Sequence, residues 1–309
     1  MGEKGLKLPS SPEGWAIKLS TLLNAVHKAH GTNRFPVKIK DLAEDYSRQV
    51  FPDNPITMIE GKDLGSKFEG MTLPKPDGTG EWGIIYNTAV PSKGRINFTL
   101  AHEFGHYLLH RHIKPEGLQC TAQDMRNWKS EHGQIEAQAN TFASFFLMPL
   151  DDFRSQIKGH KPSLELIKHL ADRYQSSLTA TILKWLSITE ERAMLVVARD
   201  GFIDWSWSSE PLIKSGIYYS ARQKITELPA GSLAASMMDS WKTRQINEFQ
   251  CRHKEGVWLG DEEVEEMTLF FKQGATSLTF LIYPKSSVRA YHPDGNDLID
   301  TFDQFKRNP

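Results

Sequence analysis

Residues 98–110 read FTLAHEFGHYLLH, with His102 and His106 four positions apart and Glu103 directly after the first. Residues four apart on an α-helix stand one turn above each other, so these two imidazoles can converge on one ion from the same face. Zinc accepts imidazole nitrogens, and a catalytic zinc site takes three protein ligands and keeps its fourth position for water. Glu103, rotated about 100° from His102 around the helix, flanks such an ion and is the candidate general base. Gly105 lies inside the helix, where it costs about 1 kcal/mol relative to alanine, which predicts that something approaches the backbone closely there. The competing reading is an amphipathic helix with incidental histidines.

His110 continues the series at i+8. Eight residues rise about 12 Å, too far for one ion with zinc–nitrogen bonds of about 2 Å, so His110 and His112 are expected to be helix-end residues facing the dipole or solvent. The third ligand must come from elsewhere, and Glu116, Cys120, Asp124, Glu131, His132 and Glu136 are the candidates. Glu136 is favoured because it lies on a strongly periodic helix, beside the stripe of Ile135, Ala139 and Phe142, and helix-borne ligands are better fixed than loop ones. Asn140, one turn on, can orient a ligand histidine through its second ring nitrogen, or make a helix-packing hydrogen bond. Cys120 falls in the polar connection between the two helices. Its thiolate could fill the position normally held by water and block the site, and the competing reading is a small buried hydrophobe.

The 309 residues leave room for two domains, and a composition 39% hydrophobic and 24% charged is that of an ordinary globular chain. A formal net charge of -1 argues against coating nucleic acid by bulk electrostatics. Two cysteines, Cys120 and Cys251, are too few for a disulfide scaffold and predict free thiols in a reducing compartment. The first residues, MGEKGLKLPSSPEG, carry no apolar segment before a cleavage site, and the longest apolar stretch, FASFFLMPL, is too short to span a bilayer. The expectation is a cytoplasmic protein with no membrane partner.

Ser10 or Ser11 followed by Pro12 opens a helix in which Trp15, Leu19, Leu22, Leu23 and Val26 recur until Gly31. A short helix is expected over 39–46, then the strands KFEGMTL and EWGIIYN around PKPDGTG, the quoted helix, a helix carrying Ile135 to Phe146 that ends at Pro149, and further helix over 149–158 and 163–190. Residues 1–190 thus form an α+β unit with one small sheet. Beyond residue 190 the strand-like AMLVVAR, GFIDWSW and TSLTFLIYP and a helical piece at 233–239 suggest a separate α/β domain over 191–309. No ligand or nucleophile cluster is visible there, so this part is expected to control chemistry rather than perform it.

RINFTLAHEFGHYLLH followed by EAQANTFASFFLMP resembles the ImmA/IrrE family of metallopeptidases, and within it the CapP subgroup associated with bacterial anti-phage systems. The resemblance implies a zincin-like fold with Zn2+ held by His102, His106 and Glu136, and Glu103 as catalytic base. It also implies a helix-turn-helix transcription repressor as substrate, whose cleavage induces stress or phage-defence genes, and a GAF-like C-terminal sensor domain. The N-terminal DNA-binding helix-turn-helix of some members is not visible. The segment SLELIKHLADRYQSSLTATILKWL has such a cadence, but its neutral charge assigns it to peptidase-domain packing.

Residues 82–87 are read as an edge strand along which a peptide could lie, against the alternative of an internal strand. In the second domain Trp205, Trp207, Tyr218 and Tyr219 could stack bases of single-stranded DNA while Arg222, Lys224, Lys242, Arg244, Arg252 and Lys254 neutralise phosphates; aromatic packing or a small-molecule activator are the competitors. Beside a zinc endopeptidase stand two other classes: a signalling protein with a zinc-stabilised but inactive site, and a zinc hydrolase acting on a non-peptide substrate. An intact Glu103 disfavours the former.

Overall fold

In the computed structural model, which describes residues 8–65, 68–90, 92–121, 131–219, 225–238, 247–271 and 276–285, the chain divides into two compact units. The first takes the described residues within 8–160 and 168–177, and the second those within 161–167 and 178–285.

The first unit opens with α1 (Pro12–His30). Ser11 Oγ accepts from Gly14 N at 3.1 Å, and Gly31 ends the helix in the left-handed region at φ 64°. Trp15, Ala16 and Leu19 are buried, whereas Leu22 and Val26 are more than 40% exposed, so only the first half of the expected stripe is core. α2 (Ile39–Val50) leads to β1 (Ile56–Lys62), β2 (Phe68–Pro74) and β3 (Trp82–Asn87); α3 (Lys93–His110) and β4 (Leu118–Thr121) follow, then α4 (Glu131–Leu147) and α5 (Leu150–Ile157). The sheet order is β1-β3-β2-β4, with β1 parallel to β3 and the other pairs antiparallel. β3 is therefore internal. The edge reading of residues 82–87 is corrected: β1 pairs on the side that an incoming peptide would need, and the edges are β1 and β4.

The helices are set by an aromatic core. Tyr107 packs edge-on to Phe51 and Trp82, stacks on Phe104, and Phe104 meets Phe142 of α4. A Cβ on Gly105 would lie 2.8 Å from Phe142 Cδ1 and 3.4 Å from Ala139 Cα, so α3 and α4 cross closely at this glycine. That close crossing is the approach expected at Gly105.

The helix expected over 163–190 is two. α6 (Leu164–Tyr174) ends where Gln175 takes a φ of 47°, and α7 (Leu178–Leu186) groups with the second unit; the division itself runs through α6. The second unit continues with β5 (Ala193–Arg199), β6 (Phe202–Ser208), α8 (Glu210–Lys214), α9 (Leu233–Met237), β7 (Glu248–His253), β8 (Val264–Phe271) and β9 (Thr276–Ile282). Its five strands form one antiparallel sheet in the order β6-β5-β9-β8-β7. β7 and β8 escaped the sequence reading because charges interrupt both. One face packs Met194, Val196, Leu212, Ala234, Trp258 and Leu281 into a core, while on the other Trp185 of α7 meets Phe280 edge-on. Among the described residues, no helix is long and apolar enough to cross a membrane.

Candidate metal centre

Helical spacing alone brings His102 and His106 together, and their Nε2 atoms lie 2.9 Å apart. The α3–α4 crossing at Gly105 adds Glu136, whose Oε2 lies 3.1 Å from His102 Nε2 and whose Oε1 lies 3.2 Å from His106 Nε2. All three side chains are buried. A tetrahedral zinc with bonds of about 2.0 Å spaces its ligand atoms about 3.3 Å apart; the two imidazoles stand slightly closer than that, and each faces a different oxygen of Glu136 at nearly that spacing. This donor set could hold a metal ion.

The hydrogen bonds around the two histidines assign which ring nitrogen carries the proton. Asn140 Oδ1 lies 3.0 Å from His102 Nδ1, so that nitrogen donates and Nε2 faces Glu136. On the other ligand, His106 Nδ1 lies 3.1 Å from His110 Nδ1, and His110 Nε2 lies 2.9 Å from Gln138 Oε1. Burial lowers the pKa of His110 and keeps it neutral. Its one proton then goes to Gln138 Oε1, its Nδ1 accepts from His106 Nδ1–H, and His106 Nε2 presents a lone pair.

The charges agree with this arrangement. Burial and the charge of His102 push His106 down to about 3, leaving it neutral. Burial opposes ionisation of Glu136, yet hydrogen bonds to His102 and His106 outweigh it and hold the carboxyl well below its usual range. Burial likewise disfavours charge on His102, but its bond to Glu136 and the charge of Glu103 win and raise its pKa. The raised pKa of His102, the neutral ring of His106 and the anionic Glu136 thus make their common point one that positive charge would favour. That is where a cation fits.

Glu103 is fully buried. Thr72 Oγ1 donates to its Oε2 at 2.7 Å, and a Cβ on Gly70 would lie 2.6 Å from its Oε1. Both partners belong to β2, so the sheet grips the carboxylate from one side.

His110 is corrected: it is buried, and it orients His106 instead of meeting solvent. The signal was present, because the next turn of the same face is where the second nitrogen of His106 must find its partner. Thr72, Gly70 and Gln138 were missed. Gly70 could have been found, since glycine inside a strand marks a close approach; Thr72 and Gln138 could not, because only the packing selects them. Of the other ligand candidates, Glu116 is exposed in the connection after α3, and Asp124 lies outside the described residues, as do the side chains of Glu131 and His132. Cys120 sits on β4, paired in register with Gly70; its side chain lies outside the described residues.

In the second unit Trp205 and Trp207 pair with Val197 and Leu195, on the sheet face opposite Val196, against whose core Tyr219 packs. The aromatics do not form one stacking platform. Arg252 stands on β7, at the other end of the sheet from β6, and Arg222, Lys224, Lys242 and Arg244 lie outside the described residues. A group that sequence reading did not find does assemble here: Cys251, His253 and Glu266.

Residues 66–185 match the family model described as Peptidase_M78, the IrrE N-terminal-like domain. The match spans both helices of the centre and supports the ImmA/IrrE resemblance and a metallopeptidase. No curated protein matches the chain.

Proposed function

We propose that the protein is a zinc-dependent endopeptidase, with His102, His106 and Glu136 as ligands and Glu103 as catalytic base. The convergence of the three donors beside a glutamate held by Thr72 carries this reading. Bound there, zinc would polarise the scissile carbonyl and acidify the attacking water. Glu103 takes a proton from that water and passes it to the leaving amine. Thr72 Oγ1, donating to Oε2, fixes the orientation of that carboxylate. Burial excludes bulk water from both carboxylates and strengthens every interaction they make.

Three finer assignments follow: the repressor substrate and the GAF-like domain rest on the family resemblance, and the role of Cys120 on its place in the chain. The substrate is a helix-turn-helix repressor whose cleavage induces stress or phage-defence genes, as in the CapP subgroup. The region 191–309 is a GAF-like sensor for single-stranded DNA or a small molecule; in its favour, buried Ser206, Ser208, Thr268 and Thr279 lie on the same sheet face as Met194 and Val196, polar groups interspersed in that core. Cys120 blocks the centre at rest, supported by its position opposite the glycine on which Glu103 packs.

The test incubates the purified full chain with the helix-turn-helix protein encoded beside it, with and without chelator, alongside Glu103→Gln. Metal-dependent cleavage is expected, with loss of about 100-fold or more in Glu103→Gln and metal retained. Full activity of the metal-replete variant would sink the mechanism. Cleavage only of a non-peptide ester or amide would favour the alternative hydrolase.

A further inference from the structure

Strand geometry places residues i and i+2 on the same face, so Cys251 and His253 of β7 share one side of the sheet. The β7–β8 register pairs Cys251 with Glu266, on the neighbouring strand and the same face. Cys251 Sγ lies 3.1 Å from His253 Nε2, which lies 2.7 Å from Glu266 Oε2. A thiol, an imidazole and a carboxylate thus meet around one point, and their donor atoms all fall within 4.8 Å of one another.

The group is built like a ligand set. Glu266 is fully buried and held at both oxygens: Leu233 N and Trp258 Nε1 donate to Oε2, and Ala234 N and Thr268 Oγ1 donate to Oε1. Its carboxylate therefore cannot swing, and it caps the start of α9. Such outer hydrogen bonds orient ligands in metal sites. Cys251 and His253 lie on β7, an edge strand, and Cys251 is half-exposed, which leaves a path for an ion. Zinc bonds of about 2.3 Å to sulfur and 2.0 Å to nitrogen or oxygen would space these donors about 3.3–3.6 Å apart. Opening the Sγ–Nε2 and Nε2–Oε2 separations by roughly half an ångström is a shift an edge strand can make.

We infer that Cys251, His253 and Glu266 form a second metal site, for a borderline transition ion of the zinc class, in the C-terminal unit. Thiolate and imidazole together select zinc, cobalt or nickel over magnesium and calcium. Three ligands leave a coordination position open to solvent, unlike a closed structural zinc. The ion ties β7 to β8 and to the first turn of α9. A catalytic cysteine is the weaker reading: burial and the charge of Glu266 push the Cys251 thiol up, away from the reactive thiolate, and Sγ and the carboxylate contact the same ring nitrogen, whereas a triad needs one on each. The site stands independently of the peptidase reading.

The experiment counts ions in the metal-stripped full chain after titration with Co2+ and removal of free ion, with Cys120→Ala as background so that any sulfur-to-cobalt charge-transfer band reports on Cys251 alone. Two equivalents and such a band are expected. Cys251→Ala and His253→Gln should each lose one equivalent, and Cys251→Ala should lose the band, while His102→Ala loses the other equivalent and keeps the band. A single equivalent with no band in the background chain, or two equivalents that survive both Cys251→Ala and His253→Gln, would overturn the site. Loss of only the equivalent that depends on His102 would overturn it too, while leaving the peptidase reading intact.

Discussion

His110 Nδ1 stands 3.1 Å from His106 Nδ1, which makes one histidine the orienting partner of another on the same helix. His110→Ala should weaken zinc binding about 10–100-fold, the usual effect of losing a partner behind a ligand histidine. Competition against a chromophoric chelator measures it. Gln138→Leu should show the same effect, smaller, because His110 then loses only what fixes its tautomer. Unchanged affinity in both variants would mean that the contact is packing.

Gly70 has no room for a side chain. In Gly70→Ala the new Cβ meets Glu103 Oε1 and the methyl of Thr99, so the carboxylate must move. A displacement near 1 Å can cost about 100-fold in rate. The expected outcome is kcat reduced by about that factor with one metal equivalent still held by His102, His106 and Glu136. Steady-state kinetics and metal analysis of one preparation check it.

At Gly105 two effects oppose. Alanine would gain about 1 kcal/mol of helix propensity, but its Cβ would press on the buried ring of Phe142 at 2.8 Å. Overpacking of a core costs about 1–3 kcal/mol, so Gly105→Ala should lower the unfolding midpoint of the metal-free chain. It should also weaken metal binding, because α4 carries Glu136 away from α3. A raised midpoint would show that the crossing has slack.

Asp152 of α5 accepts from Arg173 Nε and Nη2, each at 2.8 Å, and from Tyr174 Oη at 2.7 Å. Burial alone would raise its pKa, but these bonds prevail and lower it. The folded value lies below the unfolded one of about 3.9, so the stabilisation is present above about pH 4 and is lost as pH falls through the lowered value. Asp152→Asn should cost about 1–3 kcal/mol at neutral pH. The difference from the parent should vanish on acidification, as denaturant titrations at several pH values would show.

Short-range regularity made part of this protein legible from its sequence. The 3.6-residue period set His102 and His106 on one face, singled out Glu136 and Asn140 on α4, and made Gly105 a point of close approach. Those relations hold within a single helix, where neighbours are dictated by rise and rotation. The rest depended on which distant segments met. β3 is internal because β1 lies parallel beside it, a pairing that no local pattern in residues 82–87 encodes. The oxygen of Glu103 is aimed by Thr72 and Gly70, some thirty positions earlier, and His110 is buried because α4 covers it with Gln138. Cys251 and His253 became part of a cluster only when the β7–β8 register brought Glu266 opposite Cys251. A one-residue slip would have turned that carboxylate to the other face of the sheet. Helical spacing is a property of the chain, whereas strand register and helix crossing follow from how the whole core packs, and the chemistry here needs both.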